Sequence, residues 1–224
     1  MKGFLPRLKA HLLPRIQERM CSERMTEYSS EMPIDPGDAS LDSILIHRGR
    51  IYAHKIIRFN YMTYDMRWDQ DTVNPQTPHC NIMVLAPSES GANAHPFLYG
   101  RILGIYHANV LYRGHKFADY NPRRFYFLWV RWYNLEPMPQ KGKQASPLYQ
   151  LDRLAFPPMV SEGAFDFIDP RDVIRGCHII PAFARGRRFP DGKGLSKCAK
   201  DSQDWKGYYI SRYDDLACLK PSPY

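Results

Sequence analysis

The stretch FYFLWVRWY, residues 125–133, constrains the fold more than any other part of the chain. Successive side chains of a β-strand point to opposite faces. One face would carry Phe125, Phe127, Trp129, Arg131 and Tyr133, and the other the apolar and aromatic residues between them. Because both faces are largely apolar, we expect a central strand covered on both sides. We also expect a firm register, since a slip of one residue would turn Arg131 into the core.

A second long strand precedes this one. The sequence FLYGRILGIYHANVLY, residues 97–112, is apolar along its length and contains Gly100 and Gly104. Glycines inside a strand mark sharp curvature or a close approach of another chain segment. A polar, basic turn separates the two strands, so we expect them to form a hairpin around residue 117.

The rest of the chain divides into four predicted segments. Apolar residues recur every three or four positions in residues 1–22, which predicts an amphipathic helix with a kink at Pro14. Residues 23–43 are polar and predict a linker, and residues 214–224 predict an irregular tail. Turn signals separate short apolar runs throughout residues 44–213. The predicted fold class is therefore mainly β, a β-rich α+β protein with a small barrel after an N-terminal helix.

Three shorter segments carry local predictions. An apolar run at residues 44–46 precedes a predicted turn at His47–Gly49, and the apolar residues of 51–59 then predict one or two short strands. The polar residues 69–80 predict a loop, and the aromatic residues 204–215 predict a short helix.

The charge distribution favours an acidic partner. The net charge is +8, and residues 113–200 contain sixteen Lys/Arg against eight Asp/Glu, whereas the first half is nearly balanced. Nucleic acid is the commonest partner of such a surface, and a solvated basic surface is the alternative. Arginine forks and lysines suit phosphate geometry. The candidate phosphate contacts are Arg123, Arg124, Arg185, Arg187, Arg188 and Lys193.

Three aromatic residues, Tyr61, Tyr64 and Trp68, lie within eight positions of a segment that looks like a loop. Such a group could form a cage for a methylated lysine through cation–π attraction. Packing in the core or at its rim is the alternative.

The sequence contains no sign of catalysis that we recognise. It lacks the GxSxG, P-loop, GxGxxG and HExxH motifs. The lowest-ranked alternative is a hydrolase or nuclease that binds a divalent ion through Asp65, Asp69 and Asp71, in a segment that only weakly resembles a calcium loop. We therefore expect a non-enzymatic protein without a cofactor or a small-molecule substrate.

The cysteines argue against a structural metal or a disulfide framework. There are five, with long spacings and no CxxC. The pairs at 79–80 (HC) and 177–178 (CH) could supply zinc ligands, but neighbouring residues of a strand point to opposite faces. We expect no metal and a reducing compartment. No apolar run is long enough to predict a membrane span.

Several long stretches resemble a known family. YMTYDMRWDQDTVNPQTPHCNIMVL, HPFLYGRILGIYHANV, FYFLWVRWYN and FDFIDPRDVIRGCHIIPAFARGR are similar to the C-terminal region of uncharacterised fungal proteins related to Plavaka-type transposases. The similarity covers roughly residues 4–213. That region distantly resembles a BAH (bromo-adjacent homology) domain, a small β-rich module that binds chromatin proteins. In that pattern YGRILGIY and FLWVRWYN are consecutive barrel strands, and DVIRGCHIIPAF closes the barrel.

The resemblance implies a function without catalysis. The catalytic region of the transposases, with its acidic metal ligands, has no counterpart among these residues, and the C-terminal LACLKPSPY departs from the family pattern. The implied function is a BAH-like module, derived from a transposable element, that binds DNA or chromatin in the nucleus. A cytoplasmic location is the alternative. The alternatives for function are a protein-interaction module that binds a histone tail or a transposase partner, and a transposon remnant without function.

Overall fold

The computed structural model describes residues 3–26, 40–62, 67–87, 95–114, 118–136 and 151–211. The protein is mainly β, with 50% strand and 22% helix, and one long helix precedes the strands. This confirms the predicted fold class at that level. The helix is α1 (Phe4–Thr26). The strands described are β1 (Ile44–His54), β2 (Ile57–Met62), β3 (Trp68–Val73), β4 (Asn81–Leu85), β5 (Phe97–Arg113), β6 (Ala118–Trp132), β7 (Asn134–Glu136), β8 (Leu151–Ala155), β9 (Phe165–Ile168), β10 (Val173–Gly176), β11 (Ile180–Pro181) and β12 (Tyr208–Ser211).

The described strands form three sheets. The largest has the order β10-β4-β5-β6-β9, with β1 also paired to β5. The second has the order β11-β12-β8-β7, and β2 pairs with β3 alone. The sheets are not closed, so the predicted barrel is wrong. The physical reason is that β9 and β10 end the order of the largest sheet and are not paired with each other.

The predicted hairpin of long strands is present, because β5 and β6 are neighbours in the largest sheet. A connection as short as residues 114–117 can only join antiparallel neighbours. By compactness the chain divides into two units, residues 1–54 with 106–128, and residues 55–105 with 129–224. We call them unit 1 and unit 2. Each long strand contributes one segment to each unit.

In unit 1, α1 buries one row of side chains. Leu8, Leu12, Ile16 and Met20 follow each other at four-residue steps and are at most 1% exposed. Residues four apart lie on the same face of a helix, so the predicted amphipathic helix is confirmed. It runs past Pro14 and ends at Thr26, beyond the predicted end at residue 22.

Strand β1 follows without the predicted interruption. Arg48 and Gly49 have φ values of 56° and 60°, so a left-handed pair of residues occupies the predicted turn, yet the strand continues through it. Residues 27–39 of the predicted linker and the predicted tail at residues 214–224 lie outside the described part of the chain.

In unit 2, two segments differ from the sequence prediction. Residues 68–73 form β3 instead of a loop, and β12 occupies part of the predicted helix. In β12, Tyr208 and Ile210 are each 2% exposed and Tyr209 between them is less buried, which is the two-residue period of a strand. β12 pairs with β8 and β11.

The core of unit 2 is built around aromatic rings. Its buried members are Met83, Phe97, Tyr99, Tyr133, Leu154, Phe156, Ile179, Tyr208 and Ile210. Two predictions about the long strands are confirmed, the first for only part of its stretch. Phe127, Leu128, Trp129 and Val130 of β6 are all at most 5% exposed, so this segment is covered on both faces, whereas Tyr126 just before it is 42% exposed. A Cβ atom on Gly100 would collide with Val130 and lie 3.0 Å from Trp132, so another strand does approach closely there.

Arg131 is buried without any slip of register. It is 1% exposed, and its Nη1 donates a hydrogen bond of 2.6 Å to Asp204 Oδ2. Its guanidinium lies 3.8 Å from the centre of the Phe156 ring. Arg101 donates to the other oxygen of the same carboxylate at 2.7 Å. The expectation that the register would keep Arg131 out of the core is therefore wrong, because Asp204 supplies a buried counter-ion.

Candidate nucleic-acid interface

The fold regroups the charges of the chain. The described residues of unit 1 contain ten Lys/Arg against four Asp/Glu, a net charge of +6, and those of unit 2 contain fifteen against eleven, a net charge of +4. Unit 1 is the smaller of the two, so its surface is the more strongly basic. A comparison of the two halves of the sequence does not reveal the higher net charge of unit 1, because the basic helix α1 belongs to the same unit as the first half of β6.

Four rings meet on one side of the strands of unit 1. Tyr52 and His54 come from β1, His107 from β5 and Tyr126 from β6. The rings of Tyr52 and His107 stack, with centres 4.7 Å apart and planes 11° from parallel. Tyr126 lies 5.4 Å from His107 and 5.7 Å from His54. We call these four residues the Tyr–His face.

A hydrogen bond between two imidazole rings holds the Tyr–His face together. His54 Nε2 and His107 Nδ1 are 2.6 Å apart, so one of these nitrogens donates a hydrogen bond to the other. His107 is 8% exposed, whereas His54 is exposed. Burial lowers the pKa of His107, and the charges of Arg124 and His54 lower it further. His107 is therefore uncharged at physiological pH, and its ring supports the more exposed rings of the face.

Helix α1 covers the opposite side of the same strands. Phe125 points away from its neighbour Tyr126, and the guanidinium groups of Arg15 and Arg19 lie 5.4 Å and 5.7 Å from the centre of its ring. Arg15 also donates a hydrogen bond of 2.9 Å to the carbonyl oxygen of Tyr126. The Tyr–His face remains open to solvent, with Tyr52 40% and Tyr126 42% exposed.

Because side chains alternate along a strand, three arginines lie on the same side of the strands as the Tyr–His face. Arg50 precedes Tyr52 by two residues, Arg124 precedes Tyr126 by two, and Arg113 follows His107 by six. All three are exposed, and none forms an ion pair with another residue that the structure describes. They are therefore available to phosphate groups.

The two candidate arginines of β6 have different roles. Arg123 points to the helix side, where it pairs with Glu23 at 2.6 Å and with Asp119 at 2.5 Å. These carboxylates raise the pKa of Arg123 and occupy its donors. Of this pair, only Arg124 reaches the open side of the strands.

The remaining candidate cations belong to unit 2. Arg185 pairs with Glu136 at 2.7 Å, and Arg187 lies 5.2 Å from the centre of the Trp205 ring. Arg188 donates to the carbonyl oxygen of Phe156 at 3.4 Å, and Lys193 is exposed in a turn. The side chains of the three arginines thus have protein partners.

The hairpin of β2 and β3 separates two of the three candidate cage residues. Tyr61 is paired across the strands with Asp69, and Trp68 with Met62. Tyr61 and Trp68 therefore point to opposite faces, and Tyr64 lies outside the described residues. The face of the Tyr61 ring is also taken by Arg175, whose guanidinium is 4.3 Å from its centre.

Unit 2 contains a half-open cavity of about 260 Å³. It brings together His79, Cys177 and His178 from the two His/Cys pairs of the sequence, beside an ion pair of 3.3 Å between Asp71 and Arg175. Burial raises the pKa of Asp71, which Arg175 opposes. In the described ranges, no three His, Cys, Asp or Glu side chains are placed to hold a metal ion. Asp69 and Asp71 lie on β3, and Asp65 is not among the described residues.

Among the described helices, none combines the length and apolar character that crossing a bilayer requires. Comparisons of the chain with protein-family models, with curated proteins and with solved structures found no match.

Sequence reasoning missed the Tyr–His face. His54 and His107 are 53 positions apart and come together only through the pairing of β1 with β5. The one local signal is the alternation of Arg50, Tyr52 and His54 along β1.

Proposed function

We propose that the protein is a non-enzymatic nucleic-acid-binding module and that the Tyr–His face of unit 1 is its contact surface. The observation that carries the proposal is the open sheet surface on which exposed aromatic rings alternate with unpaired arginines. Rings of this kind stack on bases, and arginines hold the phosphates beside them. No sequence-specific readout is needed for such binding.

The proposal keeps part of what the family resemblance implies. A DNA- or chromatin-associated role in the nucleus, in a protein derived from a transposable element, is consistent with a basic unit 1. A BAH-like relationship remains part of the proposal, supported by the pairing of the two long strands, but nucleic-acid binding through the Tyr–His face does not depend on it.

The direct test measures binding of labelled 20-nucleotide DNA, single-stranded and duplex, by fluorescence anisotropy at low salt. The purified chain is compared with the triple variant Arg50/Arg113/Arg124→Ala. We expect binding by the natural chain and a loss of at least about tenfold in the variant, since hydrogen bonds to charged groups contribute about 1.5–3 kcal/mol each. If the natural chain binds neither DNA at low salt, the proposed function is wrong.

A protein-interaction module is the second candidate, and one observation favours it. Trp68 is 74% exposed and its cross-strand partner Met62 is 46% exposed, so the outer face of the hairpin presents an apolar pair. An array of histone-tail peptides, with and without lysine methylation, tests it. A selective signal that Trp68→Ala abolishes would support this candidate, and the absence of any signal would reject a histone-tail ligand.

A further inference from the structure

The geometry of the Tyr–His face points to a more specific ligand, and this inference rests on the proposed function. We infer that the face binds single-stranded nucleic acid in preference to duplex, with bases stacked on Tyr52 and Tyr126.

Tyr52 offers an incomplete stack. One side of its ring lies against His107, nearly parallel and 4.7 Å from centre to centre. Tyr52 is still 40% exposed, and because His107 covers one side of its ring, the open surface would include the other side, where a flat partner could stack. A base placed there would extend an existing stack of two rings to three, on a support whose lower member is buried and held by His54.

Tyr126 offers a second position next to the first. It is 42% exposed and tilted by 46° from the His107 ring, so it lies beside the stack instead of within it. Since both tyrosines approach His107 closely, their ring centres are at most about 10 Å apart. Neighbouring bases of an extended single strand could occupy both positions, and aromatic stacking tolerates any base.

The surrounding charges suit a backbone that runs across the strands. Arg50 lies on β1, Arg113 on β5 and Arg124 on β6, so each strand of the face supplies one cation. Of the four acidic residues described in unit 1, Glu23 and Asp119 are neutralised by Arg123 on the helix side. A phosphate chain on the open side therefore meets cations without an adjacent carboxylate from these two residues.

A duplex fits this surface poorly. Its bases are already stacked on each other, so the exposed rings of Tyr52 and Tyr126 would find no free base plane. The major groove, about 12 Å wide, admits a helix or a two-stranded ribbon, whereas three strands spaced about 4.8 Å apart, with their side chains, are too wide. Only phosphate contacts would remain for the duplex.

The test compares a mixed-sequence 12-nucleotide DNA strand, the RNA of the same sequence and the corresponding DNA duplex, each titrated with the full chain in 50 mM salt. Stacking is worth about 1–3 kcal/mol per base, so we expect the single strands to bind at least about fivefold more tightly than the duplex. Tyr52→Ala should weaken single-strand binding by about fivefold or more and change duplex binding little, while Tyr52→Phe should keep the affinity. The matched control is Phe183→Ala, which removes an aromatic side chain of unit 2 that is 64% exposed and should have no effect.

Each outcome decides between the claims. Equal or tighter binding of the duplex, or an equal loss on both ligands in Tyr52→Ala, would overturn the single-strand inference and leave the proposed function standing. No binding of any ligand would reject both. A loss with Phe183→Ala equal to that with Tyr52→Ala would show that stacking is not confined to the Tyr–His face and would overturn the inference.

Discussion

At the scale of single residues, Asp204 is a buried carboxylate of unit 2 that binds two arginines. Its carboxylate is 0% exposed and accepts hydrogen bonds from two arginines, Arg101 and Arg131. The rings of Phe156 and Tyr208 line the space around these guanidinium groups. One buried and one partly buried cation thus share one buried anion.

Asp204→Asn should destabilise the protein strongly. The amide would leave Arg131 buried without a counter-ion, and breaking a buried pair in this way costs about 3–5 kcal/mol. The free energy of unfolding in urea measures the effect. Glu162→Gln, an exposed position in unit 2, is the matched control and should change it by less than about 0.5 kcal/mol. Equal stability of the two variants would show that the pair contributes nothing.

His107 should make the stability depend on pH. Its pKa in the folded state is lowered by burial, whereas an unfolded histidine titrates near 6.5. As the pH falls through 6.5, the unfolded chain takes up a proton that the folded one does not, so the free energy of unfolding decreases. This part of the stability is present above the unfolded pKa and is lost below it.

The variant His107→Phe keeps a ring in the stack and removes the titration. We expect its free energy of unfolding to fall less between pH 7.5 and pH 5 than that of the natural chain, measured by urea titration at each pH. Tyr126→Phe, which leaves both imidazoles in place, should keep the natural pH dependence. An unchanged dependence in His107→Phe would assign the effect to other groups.

Single residues also show where sequence reasoning ends. Residues 127–130, just before Arg131, are correctly predicted as covered on both faces, because a run of apolar residues is a local signal, but the predicted cover fails at Tyr126. Burial of Arg131 itself depends on Asp204, 73 positions away, and no local sequence pattern predicts that ion pair. Likewise, Arg123 and Arg124 are equivalent in sequence, but strand alternation sends one to Glu23 and the other to solvent.

At the scale of elements, the close contact between β5 and β6 depends on Gly100. Any side chain there would collide with Val130. Gly100→Ala should lower the free energy of unfolding by about 1–3 kcal/mol through overpacking. Val130→Ala removes the obstructing methyl groups, so the double variant should cost less than the sum of the two single variants by at least about 0.5 kcal/mol. Additive costs in the urea titrations would contradict this account of Gly100.

The elements that the sequence predicts well are those with strong internal periodicity. The four-residue row of α1 and the long apolar runs of β5 and β6 belong to this class. β3 was predicted as a loop because its residues are polar, yet it pairs along its length with β2 and directs Val73 inward and Trp68 outward. β12 is too short for its two-residue period to be distinguished from a helical turn, and its partner β8 fixes it as a strand.

At the scale of the whole molecule, the net charge of +8 would attract any polyanion, so the location of the charges must be tested separately from their number. The triple variants Arg50/Arg113/Arg124→Ala and Arg185/Arg187/Arg188→Ala both lower the net charge to +5. For single strands, each phosphate contact contributes about 0.7 to the slope of log K against log salt concentration. We expect only the first variant to reduce the slope, by about 2.

Affinities for a single-stranded oligonucleotide between 50 and 200 mM salt provide the measurement. Equal reductions in both variants would mean that the ligand responds to total charge, and a reduction confined to the second would move the interface to unit 2. The charge excess could be predicted from the sequence, but its concentration in unit 1 could not, because that unit is assembled from residues before 55 and after 105.

One carboxylate of unit 2 also occupies a backbone hydrogen-bond donor at the edge of the largest sheet. β10 ends the order of the largest sheet, and Asp71 Oδ2 accepts the hydrogen bond of the Gly176 backbone N–H at 3.0 Å. An incoming strand would need that same N–H to extend the ladder. The Asp71 side chain therefore already occupies a donor that an added strand would require at this edge, so extension of the sheet there would have to displace that carboxylate.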